Sequence, residues 1–362
     1  MSAASLLDEA VRYAQAHEVP WPRDPDAAPA PGQQPWGVHH DDPPPYNRLR
    51  GPVHARGPQS GVILRRGEEI AAWGEPDRAD LTFSVAKSYL ALIAGVAHGD
   101  GLLPDENEPV CKRLPSIGFD DPLRNREVTW AQLLTQTSEW EGTSFGLPDT
   151  VDRWRKVAQD PRPAAGPKGG ARPLQPPGSY WEYNDVRINQ LALALLHLFG
   201  RALPEVFLER VLWPLGGGDG FAWRGYDDAW VDLPGVGKVQ TVPGGTHWGA
   251  GVSISARDQA RIGRLVLDGG ATPDGGQLVP RGWIRKMQAP SPIAPFYGRL
   301  LWLNRDGHAF PGASTDAVFM VGAGGHYTWI DPVLDAVVVL RWLDPAYASL
   351  AIPRLAAALK AG

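Results

Sequence analysis

The sequence lacks the features that mark several classes of protein. It has a single cysteine, Cys111, which excludes an internal disulfide. No stretch reaches the roughly 18 uninterrupted apolar residues of a membrane-spanning helix. The N-terminal residues also lack the basic start and apolar run of a secretory signal. We therefore expect a cytoplasmic protein with no membrane partner.

Positive charge is scarce as well. The chain has 35 Lys and Arg against 40 Asp and Glu, which gives a formal net charge of -5. Such a chain offers no basic stripe for a phosphate backbone, so nucleic acid is not an expected partner. Its 362 residues, 43% of them hydrophobic, are enough to bury a large core. The expected ligand is a small molecule, and the composition does not predict the oligomeric state.

Strand-like segments lie near both ends of the chain. GVILRRG at 61–67 and EIAAWGE at 69–75 predict a hairpin with its turn at Gly67 and Glu68. Toward the C-terminus, FMVGAGG, HYTWIDP and DAVVVLRW are rich in β-branched and aromatic residues and predict three more strands. The hairpins favour an antiparallel sheet.

Helical patterns fill the middle of the sequence. They include DTVDRWRKVAQ at 149–159 and RINQLALALLHLFG, which Gly200 closes. We expect an α+β fold, an α/β sandwich in which an antiparallel sheet is flanked by helices. Residues 1–104 and 241–362 would form the sandwich domain, and residues 105–240 a mostly helical domain.

The segment 20–58 is rich in Pro, Gly and Asp and is expected to be extended coil on the surface. Its HHDD at 39–42 resembles a set of metal ligands. We expect a solvated loop instead, because no helical or hairpin spacing holds these groups in a closed geometry.

Ser84 and Lys87 begin an apolar helical segment, LTFSVAKSYLALIAGVAHGDGLL. A spacing of three places both side chains on one helix face, about one turn apart. A serine hydroxyl becomes a nucleophile when a base takes its proton, and a lysine with a depressed pKa is such a base. Free N–H groups in the first helical turn favour an oxyanion. The plainer alternative is an N-cap serine followed by a surface lysine.

Five segments, in chain order, resemble those of the penicillin-recognising serine hydrolases: LTFSVAKSYLA, LLTQTSEW, PGSYWEYNDVRINQLAL, GAGVSISARDQARIG and GAGGHYTWIDPVLDAVVV. The chain is most similar to the class C β-lactamase-like branch, which includes esterases and aminohexanoate-dimer (nylon-oligomer) hydrolases. This resemblance implies a β-lactamase/transpeptidase-like fold and an acyl-enzyme on Ser84. It implies no metal or organic cofactor.

The resemblance also implies a role for Tyr183, which matches the tyrosine of the family's Tyr-x-Asn motif. In the family this phenol lies near the lysine and helps to move protons. Asp185 stands where the family usually has asparagine. A carboxylate near Lys87 favours the protonated lysine, which would give Tyr183 more of the base role. A core tyrosine that starts a helix is the structural alternative.

The family's Lys-Thr-Gly strand is replaced by Met-Val-Gly at 320–322. The resemblance implies that the N–H groups of Ser84 and Ala323 form an oxyanion hole, with Gly324 or Gly325 as the second donor if the register shifts. In penicillin-binding members of the family the lysine and threonine help to recognise a substrate carboxylate, and the nylon-oligomer hydrolases and esterases similarly lack this lysine. The absence of both residues here favours an ester or amide over a β-lactam.

Several residues near these motifs are candidates for substrate binding, as pocket walls or hydrogen-bonding groups rather than as bases. They are Asp185, His247, Trp248, Gly324, Gly325 and His326.

A competing motif occurs at 142–146, where GTSFG matches the nucleophile elbow of α/β-hydrolases. That elbow follows a buried strand and opens a helix. The preceding TQTSEWE is polar, so we expect an accidental match.

We expect a serine hydrolase that cleaves an ester or amide of a small molecule. The alternatives are a true β-lactamase or D,D-peptidase, and a non-catalytic binding protein on the same scaffold.

Overall fold

The two ends of the chain meet in a six-stranded antiparallel sheet. The structure, a computed structural model, describes residues 2–37, 42–245 and 247–362. In chain order the strands are β1 (Ser60–Arg65), β2 (Glu68–Trp73), β3 (Asp80–Leu81), β4 (Thr143–Ser144), β5 (Leu147–Pro148), β6 (Ala222–Arg224), β7 (Trp230–Leu233), β8 (Gly237–Gln240), β9 (Gly251–Ile254), β10 (Trp302–Leu303), β11 (Val318–Gly322), β12 (His326–Asp331) and β13 (Ala336–Arg341). The large sheet has the strand order β10-β11-β12-β13-β1-β2, and a smaller one has the order β3-β9-β6.

The central strand β13 explains why the sheet forms between the chain ends. Its sequence AVVVLR is buried at every residue, as expected for a β-branched run with both faces covered. It pairs with β1 on one side and β12 on the other, with Val62 opposite Val339.

Helices complete the fold. They are α1 (Ala3–Ala16), α2 (Val85–Gly99), α3 (Trp130–Leu134), α4 (Asp185–Phe199), α5 (Leu203–Phe207), α6 (Ala256–Leu267), α7 (Arg281–Gln288) and α8 (Pro345–Ala361). The terminal helices α1 and α8 pack on each other, and α6 lies on β1, β12 and β13. Ser255 caps α6 by accepting a hydrogen bond from the Asp258 N–H.

This antiparallel sheet flanked by helices confirms the predicted fold class. Two local predictions are wrong. The β1–β2 turn lies at Arg66 and Gly67, one residue earlier than expected, and both residues have positive φ, as this tight hairpin turn requires. The segment 149–159 is one 3-10 turn, Asp149–Asp152, followed by irregular chain. There Trp154 has φ +63°, which a continuing helix does not allow.

The segment 105–240 is helical only in part. It holds α3, α4 and α5, but also the hairpins β4–β5 and β7–β8 and a long irregular loop before α4. The Pro- and Gly-rich composition of 161–178 accounts for that loop.

The buried helices α2 and α4 form the interior on which the site is built. Every residue of α2 from Val85 to Ala97 is buried, which is the pattern of a helix surrounded by protein. Among the described residues, no single helix is long and apolar enough to cross a membrane. The helix α4 and the segment Leu203–Leu215 are together long and apolar enough to span a membrane, but a bend of 76° separates them.

Candidate active site

Ser84 occupies the position just before α2, where β3 leads into the helix. It is partly exposed, whereas the residues on both sides of it are buried. As the N-cap residue it makes no side-chain capping bond. Its Oγ instead accepts a hydrogen bond from Lys87 Nζ at 2.9 Å. The two side chains therefore meet as the three-residue spacing predicts, and the surface-lysine alternative is wrong.

The backbone immediately before Ser84 is strained. Phe83 has φ +52°, a left-handed conformation that a bulky side chain rarely adopts and that costs on the order of 1–3 kcal/mol. Three tryptophan rings surround the Phe83 ring, with centroid distances of 5.8 Å to Trp21, 6.5 Å to Trp36 and 6.1 Å to Trp342. This packing holds the strained residue in place.

The N-terminal segment thus contributes to the site, which the sequence did not indicate. It is irregular, as expected, but Trp21 and Trp36 are buried rather than on a surface coil. Fifteen tryptophans in one chain were the available signal. Nothing local identified these two as partners of Phe83.

Lys87 is almost completely enclosed, with 1% of its surface exposed. Its Nζ lies 2.6 Å from Asp185 Oδ1 and 4.7 Å from the centroid of the Tyr183 ring. Gly245 closes the remaining side, because a Cβ at that position would lie 2.5 Å from the Lys87 Nζ. The amine is therefore held between the candidate nucleophile, a carboxylate and an aromatic face.

Asp185 lies between two cations rather than beside one. Besides Lys87 it contacts Arg155, whose Nη1 lies 2.9 Å from Asp185 Oδ2 and 3.2 Å from an oxygen of Asp152. Burial alone would raise the pKa of the Asp185 carboxyl, but Arg155 and Lys87 hold that pKa well below its usual range. Asp185 is a buried carboxylate that contacts Lys87, not a group on the cavity wall.

Arg155 was missed at the sequence level. It belongs to the segment 149–159, where a helix was predicted, and its partner Asp185 lies thirty residues further along the chain. The aspartate at the family's asparagine position was the one available signal, since a buried carboxylate requires a cation.

Tyr183 lies in the chain just before α4 and is buried against Trp302, with the two rings stacked at a centroid distance of 5.6 Å. Asn184 fixes the start of α4, because its side chain accepts a hydrogen bond from the Arg187 N–H. The structure therefore brings Tyr183 to Ser84 and Lys87.

A cavity of about 200 Å³ opens at Ser84. Ser84, Arg155, Gln159 and Tyr183 form its polar side, and Gly322 and Ala323 border it at the end of β11. Most of the remaining wall is apolar, formed by Val157, Ala158, Trp302, Val321, Tyr327 and Pro345. The site can hold a small, largely apolar group next to the serine hydroxyl.

The end of β11 runs against the backbone before Ser84. Gly322 pairs with His326 across the β11–β12 turn. A Cβ at Gly322 would lie 2.1 Å from the Thr82 carbonyl oxygen, so this approach requires glycine. Ala323 follows in the turn and is exposed at the cavity.

The turn after Ala323 points inward, so three predicted binding residues lie away from the cavity. A Cβ at Gly324 would be 2.9 Å from the rings of Trp21 and Trp342, and one at Gly325 would be 1.5 Å from the Leu343 carbonyl oxygen. His326 is fully buried, 4.3 Å from the Trp342 ring. The structure corrects their assignment, because tight packing against the 342–343 backbone encloses them.

His247 and Trp248 also lie outside the cavity wall. Trp248 is fully buried and donates its indole N–H to the Tyr46 carbonyl oxygen at 2.8 Å. His247 Nε2 lies 2.7 Å from Asp42 Oδ2 and 3.1 Å from Lys168 Nζ. These partners make them structural neighbours of the site rather than substrate contacts. Residues 39–41 of the HHDD segment lie outside the described residues.

The GTSFG segment is a small hairpin. Thr143 and Ser144 form β4, which pairs with β5, and the turn between them contains Phe145 and Gly146 with positive φ. No helix follows this turn, and Ser144 is buried. The nucleophile elbow is therefore excluded, as expected.

Buried His326 predicts a loss of stability in acid. Burial, reinforced by Arg341 and Arg56, places the pKa of its imidazole well below the usual value. The unfolded chain therefore binds a proton that the folded chain does not, as pH falls through about 6.5. We expect the free energy of unfolding, measured by urea titration, to fall less steeply with decreasing pH in His326→Leu than in the parent. The difference in slope is expected to be up to about 1.4 kcal/mol per pH unit. Equal slopes for parent and variant would contradict the assignment.

Most of the chain matches a known protein family. The sequence model described as Beta-lactamase matches residues 62–349. The chain belongs to the beta-lactamase family. The resemblance seen in the sequence is confirmed, and the protein is a beta-lactamase-family hydrolase.

Relatives of this beta-lactamase-family chain include hydrolases of different kinds. It is 27% identical over 311 residues to 6-aminohexanoate-dimer hydrolase of Paenarthrobacter ureafaciens, across 78% of this chain and 72% of that protein. A family VIII carboxylesterase shares its fold with a TM-score of 0.59 and 18% identity, over 83% of this chain and 92% of the other. A beta-lactamase from Mycobacterium bovis also shares the fold, with a TM-score of 0.56 and 17% identity, over 84% of this chain and 94% of the other.

Proposed function

We propose that this protein is a serine hydrolase that cleaves an ester or amide bond of a small molecule through an acyl-enzyme on Ser84. The observation that carries the proposal is the 2.9 Å hydrogen bond between Lys87 Nζ and Ser84 Oγ at the mouth of a cavity that Tyr183 also lines. A nucleophile in contact with its base is the arrangement that covalent catalysis needs.

In the proposed reaction, the Lys87–Tyr183 pair takes the proton from Ser84 Oγ, which attacks the carbonyl carbon. The N–H groups of Ser84 and Ala323 stabilise the negative charge on the carbonyl oxygen. The pair then gives the proton to the leaving alcohol or amine, and an acyl ester remains on Ser84. Water repeats the sequence: it loses a proton to the pair, attacks the acyl carbon and releases a carboxylic acid as Ser84 regains its proton.

The cavity wall supports an ester or amide without a recognised carboxylate. Met320 and Val321 stand at the positions of the lysine and threonine of the penicillin-binding members. Met320 is fully buried, and Val321 lines the cavity. Arg155, the cation of the wall, is already paired with Asp152 and Asp185. The curated relative is named a 6-aminohexanoate-dimer hydrolase, and one structural neighbour is named a carboxylesterase.

A fluorophosphonate tests the nucleophile, because it forms a stable adduct with an activated serine. Trypsin cuts after Arg78 and Lys87, and the resulting peptide ADLTFSVAK carries Ser84 as its one serine. Ser144 falls in the separate peptide 127–153. We expect one adduct per protein, located on ADLTFSVAK.

Other outcomes have defined meanings. An adduct on 127–153 would contradict the assignment of Ser84, and no adduct would favour the non-catalytic binding protein. Substrates then separate the enzyme classes. Turnover of p-nitrophenyl butyrate or 6-aminohexanoate dimer supports the proposal, whereas rapid turnover of a cephalosporin, or stable acylation by penicillin, with neither of these hydrolysed would support a β-lactamase or D,D-peptidase.

A further inference from the structure

A buried carboxylate in contact with the catalytic amine poses an electrostatic problem. Asp185 and Lys87 are both 1% exposed, and their charged atoms are 2.6 Å apart. A negative charge at this distance attracts a proton and opposes its release from either the Lys87 amine or the Tyr183 phenol. Asp185 alone would therefore hold the proton that catalysis has to move.

Arg155 is the second cation at this carboxylate. It contacts the other oxygen of Asp185, at 2.9 Å, and its guanidinium carbon lies 5.3 Å from the centroid of the Tyr183 ring. An arginine keeps its charge at every pH of interest. Lys87 and Arg155 thus lie on either side of Asp185, and both face Tyr183.

We infer that Arg155 is a charge-compensating positioning residue, which offsets Asp185 so that the Lys87–Tyr183 pair can release and accept a proton near neutral pH. This inference rests on the proposed function. Arg155 and Asp185 are then a coupled pair. Removal of either one alone changes how readily the Lys87–Tyr183 pair releases and accepts a proton, and removal of both returns this property close to that of the parent.

The surrounding charges leave Arg155 available for this role. Asp152 also contacts Arg155, but Lys168 lies 3.7 Å from its other oxygen. The pKa of His247 is lowered, by burial and then by Arg155, so its ring is neutral at neutral pH. Burial raises the pKa of the phenols of Tyr226 and Tyr297, which stay neutral as well. Lys168 also pairs with Asp42.

The test is a cycle of Arg155→Met, Asp185→Asn and the double variant, read from the pH dependence of kcat/KM for an activated ester. Loss of the cation disfavours the deprotonated base, so Arg155→Met is expected to move the acid limb about one unit to higher pH. Loss of the carboxylate favours the deprotonated base, so Asp185→Asn is expected to move the acid limb about one unit to lower pH. The double variant is expected to return close to the parent.

Two further variants distinguish charge from structure. Arg155→Lys keeps the positive charge and is expected to keep the acid limb. Arg155→Gln also removes the charge, and it replaces Arg155→Met if that variant does not fold. Arg162→Met removes another arginine of the same loop, which pairs with Asp160 and not with Asp185, and should leave the limb unmoved.

The inference is overturned if Arg155→Met lowers the rate without moving the limb, or if the double variant is worse than both single variants. Either result would make Arg155 a purely structural residue. A parent protein that forms no Ser84 adduct and hydrolyses no ester would instead overturn the proposed function. The two failures are therefore distinguishable in the same set of proteins.

Discussion

Ser84→Ala is expected to reduce kcat for an activated ester by roughly 10³-fold to 10⁶-fold and to abolish the fluorophosphonate adduct. Among the described residues that line the cavity, Ser84 is the one serine or threonine that Lys87 and Tyr183 could activate, and Ser144 of the competing motif is buried in a separate hairpin. What activity remains would come from bound water and the oxyanion donors.

The fold should tolerate this change. Ser84 is partly exposed and makes no capping bond to α2, so its removal costs the helix little. The melting temperature of Ser84→Ala is therefore expected to stay near that of the parent. Ser144→Ala is the matched control and should hydrolyse the ester at nearly the parental rate. Full activity in Ser84→Ala would reject the acyl-enzyme mechanism.

Gly322→Ala is expected to have the second largest effect, a fall in kcat of about 10²-fold. The new Cβ would lie 2.1 Å from the Thr82 carbonyl oxygen, and Thr82 is itself fixed by its N–H bond to the Val252 carbonyl oxygen at 2.8 Å. Backbone cannot rotate away as a flexible side chain can. The end of β11 must therefore separate from the segment before Ser84, which moves the Ala323 N–H relative to the attacking oxygen.

The same contact should lower stability, by roughly 1–3 kcal/mol in urea unfolding, as overpacking does. Gly282→Ala is the control for adding a methyl group: it lies in α7, where the new Cβ would meet its nearest neighbour, an Arg285 nitrogen, at 3.8 Å. That variant should keep both activity and stability. An unchanged kcat in Gly322→Ala would show that the position of β11 does not matter for catalysis.

Local patterns predicted much of the architecture. The hairpin of β1 and β2 and the buried strand β13 both follow from short-range patterns, although the hairpin turn lies one residue earlier than expected. The segment 149–159 did not follow its pattern. Its apolar and charged residues alternate with helical spacing, but some of its charged side chains also pair with distant residues, as Arg155 does with Asp185 and Asp149 with Arg187.

Within the candidate site the same division holds. Ser84 and Lys87 could be paired from the sequence, because one helical turn brings residues three apart together whatever the rest of the chain does. Gly324, Gly325 and His326 could not be placed, because a turn of the same composition can face a cavity or the core. The direction of this turn depends on its contact with the backbone of Leu343, which lies 18 residues beyond Gly325 in the chain.

The sequence by itself determined the strand and helix pattern, the family and the Ser84–Lys87 pair. Each depends on residues close together in the chain or on the order of motifs. Only the tertiary structure decided that Arg155 shares Asp185 with Lys87, and that Trp21, Trp36 and Trp342 hold the strained Phe83. These contacts join residues tens to hundreds of positions apart, and their existence depends on how the whole core packs.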